Sequence, residues 1–470
     1  MEESSGLKEE AEIAREHIEE QAKGFLAFTG VQKPPPNAVF LLVMGMTGSG
    51  KSSFVASCTG RNVVVGHGLQ SCTSDITIFD FALDGHKVYL IDTPGFNDTH
   101  KSDAETLATV ATYLGTSFAQ NVFIHGILYL HRISDNRVGG SGRRNIDMLK
   151  AMIGEAAYAN VALVTTMWGG GGSAAMPATT TETRDTLLRR EEELRTDPSF
   201  FAELIGGGAQ LVRHGDFGDT RATESSRDAD AGLLRASALA IVRQIVSQVR
   251  ATGGPAVLLI QHELVEDRRR LEQTSAGAMV LRDLDKMAAD YMGQLAALKD
   301  MIRSKTKRAA TSAAVRSEEN REEAELKTEF KDKLATVNEA RRVLGSGLQT
   351  LQSREQEALT QKLEVAEQGF REELERKERR LQQLERLMEA KRSETNNPAA
   401  TSTASKTWLA PHVSKAREEV RKGRRALARL SQTTDGVKEG LATGLATSVS
   451  SALVTGVVGA IATSLVCVLM

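Results

Sequence analysis

The chain has 470 residues, with 59 Lys and Arg against 61 Asp and Glu, which gives a formal net charge of -2. This length suggests more than one structural unit, and the balanced charge argues against a nucleic-acid binder. Cys58, Cys72 and Cys467 lie far apart, without the spacing of a disulfide framework or a metal site, so we expect a reducing compartment. The acidic N-terminus lacks the apolar core of a secretory signal.

The first two regions are a short N-terminal segment and an α/β domain. Residues 1–36 predict a charged helix and a linker that three consecutive prolines stiffen. In residues 37–252 short apolar runs alternate with helical patterns, which predicts an α/β domain with a mostly parallel sheet. The expected strands lie at 39–44, 77–81, 88–91, 126–130, 161–165 and 210–212, and the last helix at 236–249.

The third region, residues 253–395, is rich in Glu, Lys, Arg, Gln and Leu, and no proline occurs between Pro255 and Pro398. Leucines recur at heptad-like spacing among alternating acids and bases, which predicts long helices that pair as a coiled coil. A solvated single helix is the alternative. The run 345–347 (Gly-Ser-Gly) predicts a break between two helices.

A phosphate-binding loop is predicted where the first apolar strand ends. The run 45–52 reads G-x-x-x-x-G-K-S between a buried strand and a helix, so its main-chain N–H groups can point at phosphate oxygens. Lys51 should reach the β- and γ-phosphates of a nucleoside triphosphate, and the Ser52 hydroxyl should bind Mg²⁺. The expected nucleotide-binding residues are Gly45, Met46, Thr47, Gly48, Ser49, Gly50, Lys51, Ser52, Ser53 and Thr166.

A second phosphate element follows the strand at 88–91. Asp92 can hold Mg²⁺ through water, and the Gly95 N–H can meet the γ-phosphate. Thr73 lies in a polar loop between the two elements, where a GTPase places its first switch, and its hydroxyl is a further Mg²⁺ ligand or an ordinary turn hydroxyl. The predicted metal ligands are therefore Ser52, Thr73 and Asp92, and we expect Lys51, Thr73 and Gly95 to act in catalysis.

Five motifs resemble the fungal G-domain proteins related to the immunity-associated (AIG-type) GTPases, the chloroplast Toc GTPases and the septins. These motifs are GMTGSGKSSF, GLQSCTSDI, DTPGFND, YLHRISDNR and LVTTMW, and they fall within residues 37–252. The resemblance implies a P-loop GTPase fold, binding of GTP with Mg²⁺, and pairing of G domains face to face.

The chain departs from this group at the base-reading position. An acidic residue that recognises guanine is usual after the run Thr166–Trp168, but Gly169 stands there. Without this acidic residue, a charged hydrogen bond of about 1.5–3 kcal/mol is lost. The expected preference for guanine over adenine therefore rests on the resemblance alone. Main chain near His214 is a possible replacement.

Slow hydrolysis is expected because Phe96 follows Gly95 and cannot orient water. A group supplied in trans by a paired G domain would compensate, with His67 or an arginine as candidates, although a solvated loop histidine is the simpler reading of His67. Four polar residues after the strand at 126–130 mediate such a contact or form a local salt-bridge cluster. They are His131, Arg132, Asp135 and Arg137.

The C-terminal part is a polar and basic segment (396–436) followed by an uncharged apolar helix (437–470). Small residues recur every fourth position from Gly440 to Ser464, so this helix predicts a membrane anchor or a helix buried against protein. The positive charges of the basic segment favour its contact with the anionic lipids of a cytoplasmic leaflet. The expected location is the cytoplasmic face of a membrane, or the cytoplasm.

The sequence therefore predicts a GTP-binding switch protein with slow hydrolysis. We expect a homodimer or oligomer that forms through the G domain and the coiled coil, and membrane lipid as a further partner of the C-terminus. A nucleotide-binding scaffold and a coiled-coil structural protein with little or no hydrolysis are the alternatives.

Overall fold

A computed structural model gives the fold of the chain. It describes residues 24, 27–28, 33–60, 76–97, 101–135, 139–168, 184–217, 227–308, 313–394, 410–425, 427–428 and 431. The chain divides into two compact units: the first is Gly24–Gln352, and the second includes Ser353–Met470.

The first unit is built on a six-stranded sheet in the order β2-β3-β1-β4-β5-β6. Only the β2–β3 pair is antiparallel, and the other neighbours are parallel, which confirms the predicted α/β class. All six expected strands are found. The strands are β1 (Ala38–Gly45), β2 (Thr77–Leu83), β3 (His86–Asp92), β4 (Gly126–Arg132), β5 (Val161–Thr166) and β6 (Gln210–Arg213).

Helices cover both faces of this sheet because successive strand residues point to opposite sides. Along β1, Leu41 and Val43 join one apolar cluster with Phe54 and Ile245, while Leu42 and Met44 join the other. The first face carries α1 (Lys51–Thr59) and α6 (Arg227–Ala251). The second carries α2 (Asp103–Ala119), α3 (Gly140–Ile153), α4 (Arg184–Thr196) and α5 (Ala202–Gly206).

Two long helices, α7 (Ser275–Arg308) and α8 (Ala313–Leu344), also belong to the first unit. Buried residues of both helices, such as Leu284 and Val337, join the cluster that contains Leu107 of α2. The predicted boundary at 252 therefore separates two kinds of secondary structure, not two compact units. The predicted break at 345–347 is confirmed, because α9 (Leu348–Glu394) begins directly after it.

The second unit contains most of α9 and a helix α10 over 410–425. Leu374 of α9 and Val413 and Val420 of α10 are buried. Ion pairs of 2.8 Å join Arg417 to Glu385 and Arg424 to Glu378, so the helices run antiparallel. A coiled coil sustained over 253–395 stays a prediction.

Within the described ranges, no helix is long and apolar enough to cross a bilayer. The predicted apolar helix at 437–470 lies outside those ranges, as does nearly all of the predicted N-terminal helix.

Candidate nucleotide-binding site

The loop between β1 and α1 has the main-chain shape that its glycines predict. Gly45 has a φ of 139°, and a Cβ built there would lie 2.3 Å from the carbonyl oxygen of Leu130, so no other residue fits. Gly50, with a φ of 92°, precedes α1, and no side chain caps that helix. An uncapped helix N-terminus directly after a glycine-rich loop is typical of phosphate-binding loops.

Lys51 lies across this loop. Its ammonium group donates to the carbonyl oxygens of Gly45, at 3.1 Å, and of Met46, at 3.0 Å. The residue is buried, with 7% of its surface exposed. This arrangement keeps a positive charge beside the loop, where a polyphosphate would need it.

Ser52 and Asp92 meet beside Lys51. The Ser52 hydroxyl donates to Asp92 Oδ2 at 3.2 Å, and among the described residues the buried Asp92 Oδ1 has no hydrogen-bond partner. Burial raises the pKa of Asp92 to about 6, although Lys51 and the hydrogen bond from Ser52 act to lower it. A buried carboxylate with a free oxygen next to a hydroxyl is a donor set that suits Mg²⁺, so the two residues fit the predicted ion.

The segment after Asp92 packs directly on the loop. A Cβ on Gly95 would lie 2.5 Å from Thr47 Oγ1 and 2.7 Å from the Thr47 nitrogen, so only glycine allows this approach. The Thr47 N–H donates to the Phe96 carbonyl at 3.4 Å. The Phe96 side chain is buried in the apolar core and, as the sequence predicted, offers no group that orients water.

Thr166, at the end of β5, supports the loop through its side chain. Its hydroxyl lies 2.9 Å from the Ser49 carbonyl, to which it donates, and 3.3 Å from that of His131. The sequence predicted Thr166 as a nucleotide-binding residue. The structure shows it holding the main chain of the phosphate loop against the ends of β4 and β5.

A charged cluster beyond β5 and β6 was not predicted. The Trp168 indole donates to Thr165 Oγ1 at 3.0 Å, and the Arg213 guanidinium lies 4.6 Å from the centre of the Trp168 ring. Arg213 pairs with Glu191 and Asp216, which raises its pKa. The motifs LVTTMW and GAQLVRHGD lie in this region, but a pairing between separate elements leaves no local pattern in the sequence.

Two of the polar residues that the sequence analysis singled out, Arg132 at the end of β4 and Asp135 just beyond it, are partners of each other. Arg132 Nε lies 3.1 Å from Asp135 Oδ1, which supports the salt-bridge alternative. His131 is buried, and burial lowers its pKa to about 4. Main chain near His214 was a candidate for recognition of the base. The His214 N–H cannot serve in this way, because it donates to the Thr165 carbonyl at 2.8 Å.

Four other sequence candidates lie outside the described residues. They are His67, Thr73, Arg137 and Gly169. Ser53 is in the first turn of α1 and is exposed.

The phosphate loop, the Ser52–Asp92 pair and the sheet order define a P-loop GTPase G domain. Residues 40–152 match the family described as 50S ribosome-binding GTPase. GTP is the nucleotide that a domain of this family binds, and the Ser52–Asp92 pair would suit Mg²⁺.

Among curated proteins, GTP-binding protein A of Dictyostelium discoideum is 30% identical over 158 residues. The match covers 33% of this chain and 33% of that protein, so the chain spans about a third of the length of the relative.

Toc33 of Arabidopsis thaliana is among the similar solved structures. Its complex with Mg²⁺ and GMPPNP has 19% identity and a TM-score of 0.34, and the match covers 50% of this chain and 92% of Toc33. A dimerization-deficient mutant of Toc33 has 18% identity and a TM-score of 0.35, with 51% and 94% covered. At these scores the likeness carries no inference about function.

Proposed function

We propose that this chain is a switch protein that binds GTP and hydrolyses it slowly. The observation that carries the proposal is the Ser52–Asp92 contact of 3.2 Å beside the Lys51 ammonium. N–H groups of the loop and of the first turn of α1 bind the phosphates, and Lys51 lies against the β- and γ-phosphates. Ser52 and Asp92, together with Thr73, would hold Mg²⁺, and the Gly95 N–H would meet the γ-phosphate.

Mg²⁺, when bound, neutralises charge that develops on the phosphate oxygens. Among the described residues, little else is placed for the attack of water, because Phe96 occupies the position after Gly95 and is buried. Positioning and charge stabilisation by Lys51 and the loop remain, which supports a low intrinsic rate.

Self-association of G domains is the second part of the proposal, because a partner domain can supply a missing group in trans. We propose His67 or an arginine for this role. Kinship with the AIG-type and Toc GTPases, which the motif YLHRISDNR suggests, belongs to the same proposal. Turnover per molecule should rise with the concentration of the full chain, and sedimentation should show a larger species with GMPPNP than with GDP. Equal turnover at all concentrations would contradict it.

Membrane attachment through the C-terminus is the third part. It is supported by the uncharged run Leu441–Met470 and by the basic residues that precede it. The full chain should pellet with membranes after carbonate extraction, and deletion of 437–470 should release it. Pelleting that persists after the deletion would contradict the anchor.

The nucleotide assignment is tested by turnover of the purified full chain with GTP and with ATP. We expect turnover of GTP only, whereas equal turnover of both would contradict the guanine assignment. A scaffold that binds nucleotide without hydrolysis is a second candidate, favoured by the buried Phe96, and single-turnover phosphate release separates it from a slow enzyme. Undetectable binding of nucleotide would instead favour a coiled-coil structural protein.

A further inference from the structure

Arg144 of α3 lies between the segment that follows Gly95 and the long helix α7. Asp103 is the first residue of α2, and its Oδ1 accepts the Asn97 N–H at 2.8 Å. Arg144 Nη2 lies 3.4 Å from Asp103 Oδ2. Arg144 Nε lies 2.7 Å from Asp283 Oδ2 on α7. One guanidinium thus contacts both a carboxylate that holds Asn97 and a carboxylate of α7.

The helices around Arg144 pack against one another, so a movement of α2 would displace α7 and α8. Leu107 of α2, Leu284 of α7 and Val343 of α8 belong to one buried cluster. At the far end of α2, a Cβ on Gly115 would lie 2.9 Å from Leu348 Cδ1, so the surface of α2 is closely covered there. Packed interfaces of this kind shift between discrete arrangements and do not deform gradually.

Asn97 lies one residue beyond Phe96, whose carbonyl bonds to Thr47 of the phosphate loop. This segment contains Gly95, the group proposed to meet the γ-phosphate, so under the proposed function its position would differ between the GTP and GDP states. Asp103 accepts a hydrogen bond from the same segment and shares Arg144 with Asp283. Loss or gain of the γ-phosphate would therefore act on a main-chain segment that is connected to α7 through Asp103 and Arg144.

We propose that Arg144 is a positioning residue that couples the bound nucleotide to the docking of α7 and α8, together called the hairpin, on the G domain. This inference rests on the proposed function as a GTP-binding switch. If the hairpin docks better in one nucleotide state, thermodynamic linkage requires that docking changes the ratio of GTP to GDP affinity by the same factor. The hairpin is then both the output of the switch and an element that sets its resting state.

The test compares Arg144→Met with the parent in the full chain. Arg341→Met is the matched control, because Arg341 Nη2 lies 2.5 Å from Asp285 Oδ1 and joins α8 to α7, whereas Arg144 joins α3 to α7. Two quantities are measured: the amide hydrogen exchange of residues 275–300 with GDP–Mg²⁺ and with GMPPNP–Mg²⁺, and the ratio of the two dissociation constants.

In the parent, exchange around Asp283 should differ at least threefold between the two nucleotides. Arg144→Met should abolish this difference and change the affinity ratio about three- to tenfold, whereas Arg341→Met should preserve both. Arg144→Lys, which keeps the charge, should restore part of the difference. In an Asp283→Asn background, Arg144→Met should have a much smaller further effect, because the shared contact is already lost.

The coupling is overturned if the parent binds both nucleotides but its amide hydrogen exchange around Asp283 is the same with each. It is also overturned if Arg144→Met keeps the difference in hydrogen exchange between the two nucleotides. It is also overturned if Arg341→Met abolishes the difference as fully as Arg144→Met does, because that result indicates general loosening of the hairpin. Failure of the parent to bind GMPPNP overturns the proposed function as well, which distinguishes the two failures.

Discussion

The Ser52 hydroxyl and the Asp92 carboxylate lie 3.2 Å apart although 40 positions separate them in the chain. They come together because β1 and β3 are parallel neighbours and both end at the same edge of the sheet. This edge is where open α/β sheets bind ligands. Several predictions about the site depend on the contact and on the burial of Asp92.

Replacement of Asp92 with Asn should stabilise the nucleotide-free protein while it weakens Mg²⁺-dependent binding of GTP. The folded protein raises the pKa of Asp92 from 3.8 to about 6, so at pH 7 the buried carboxylate is held in its disfavoured ionised form. That difference in pKa corresponds to about 3 kcal/mol. Because the folded protein relaxes around the charge, we expect Asp92→Asn to raise the free energy of unfolding by about 1–3 kcal/mol. Urea unfolding at pH 7 measures it.

The pH dependence of the Asp92→Asn effect has a definite sign. The folded protein binds the Asp92 proton more tightly than the unfolded chain, so Asp92 lowers stability progressively as the pH rises from about 4 to about 6. The gain from Asp92→Asn should therefore be largest at pH 7 and absent at pH 3.5. A variant that is less stable than the parent at pH 7 without nucleotide would contradict this account of Asp92.

Removal of the Thr166 hydroxyl should loosen the phosphate loop. Thr166→Val keeps the shape of the side chain but leaves the buried Ser49 carbonyl without its donor, a loss of about 1–3 kcal/mol. We expect binding of GTP and of GDP to weaken about tenfold, as measured by titration of fluorescent nucleotides. Thr196→Val is the control, because the exposed Thr196 donates its hydroxyl within α4, to the Glu192 carbonyl. Equal affinities of Thr166→Val and the parent would contradict the supporting role.

Introduction of an acid at the base-reading position should sharpen the choice of nucleotide. Gly169→Asp places a carboxylate directly after Trp168, where it can accept hydrogen bonds that guanine offers and adenine does not. A charged hydrogen bond of about 1.5–3 kcal/mol predicts a rise of about 10- to 100-fold in the ratio of GTP to ATP affinity. Gly170→Asp is the control. An unchanged ratio in Gly169→Asp would show that the base is bound elsewhere.

Two buried histidines should make the fold sensitive to acid. Burial lowers the pKa of His131 and of His214 from 6.5 to about 4. The unfolded chain therefore binds these protons more readily, and stability falls as the pH drops from about 6.5 to 4, by about 2–3 kcal/mol for each residue. His131→Phe should flatten this part of the curve in urea unfolding. An identical pH dependence for parent and His131→Phe would refute the assignment.

Much of the G domain could be predicted because its signals are local. The apolar run 39–44, the glycines that follow it and the later Asp92 each carry their own pattern, and parallel strand pairing then brings them to one edge. Thr166 is a partial case: its position was predicted, but its hydrogen bond to Ser49, 117 residues away, depends on how β5 packs beside the loop.

The docking of α7 and α8 on the G domain could not be read from the sequence. Leu284 and Val337 are buried in the same cluster as residues of α2. The heptad-like spacing of apolar residues in 253–395 does not distinguish a partner helix from the surface of α2. Arg144, Asp103 and Asp283 were missed for a related reason. Single charges on three separate helices form no motif until the helices are packed.

Titration of the full chain with GTP and Mg²⁺, for the parent and for Lys51→Ala, tests the central claim most directly. The account predicts at least a tenfold loss of GTP affinity in Lys51→Ala, because the ammonium that lies across the phosphate loop is removed. Lys150→Ala, which removes only the distant ion pair with Glu203, should bind as the parent does. Undiminished binding of GTP by Lys51→Ala would contradict the claim that this loop holds the nucleotide.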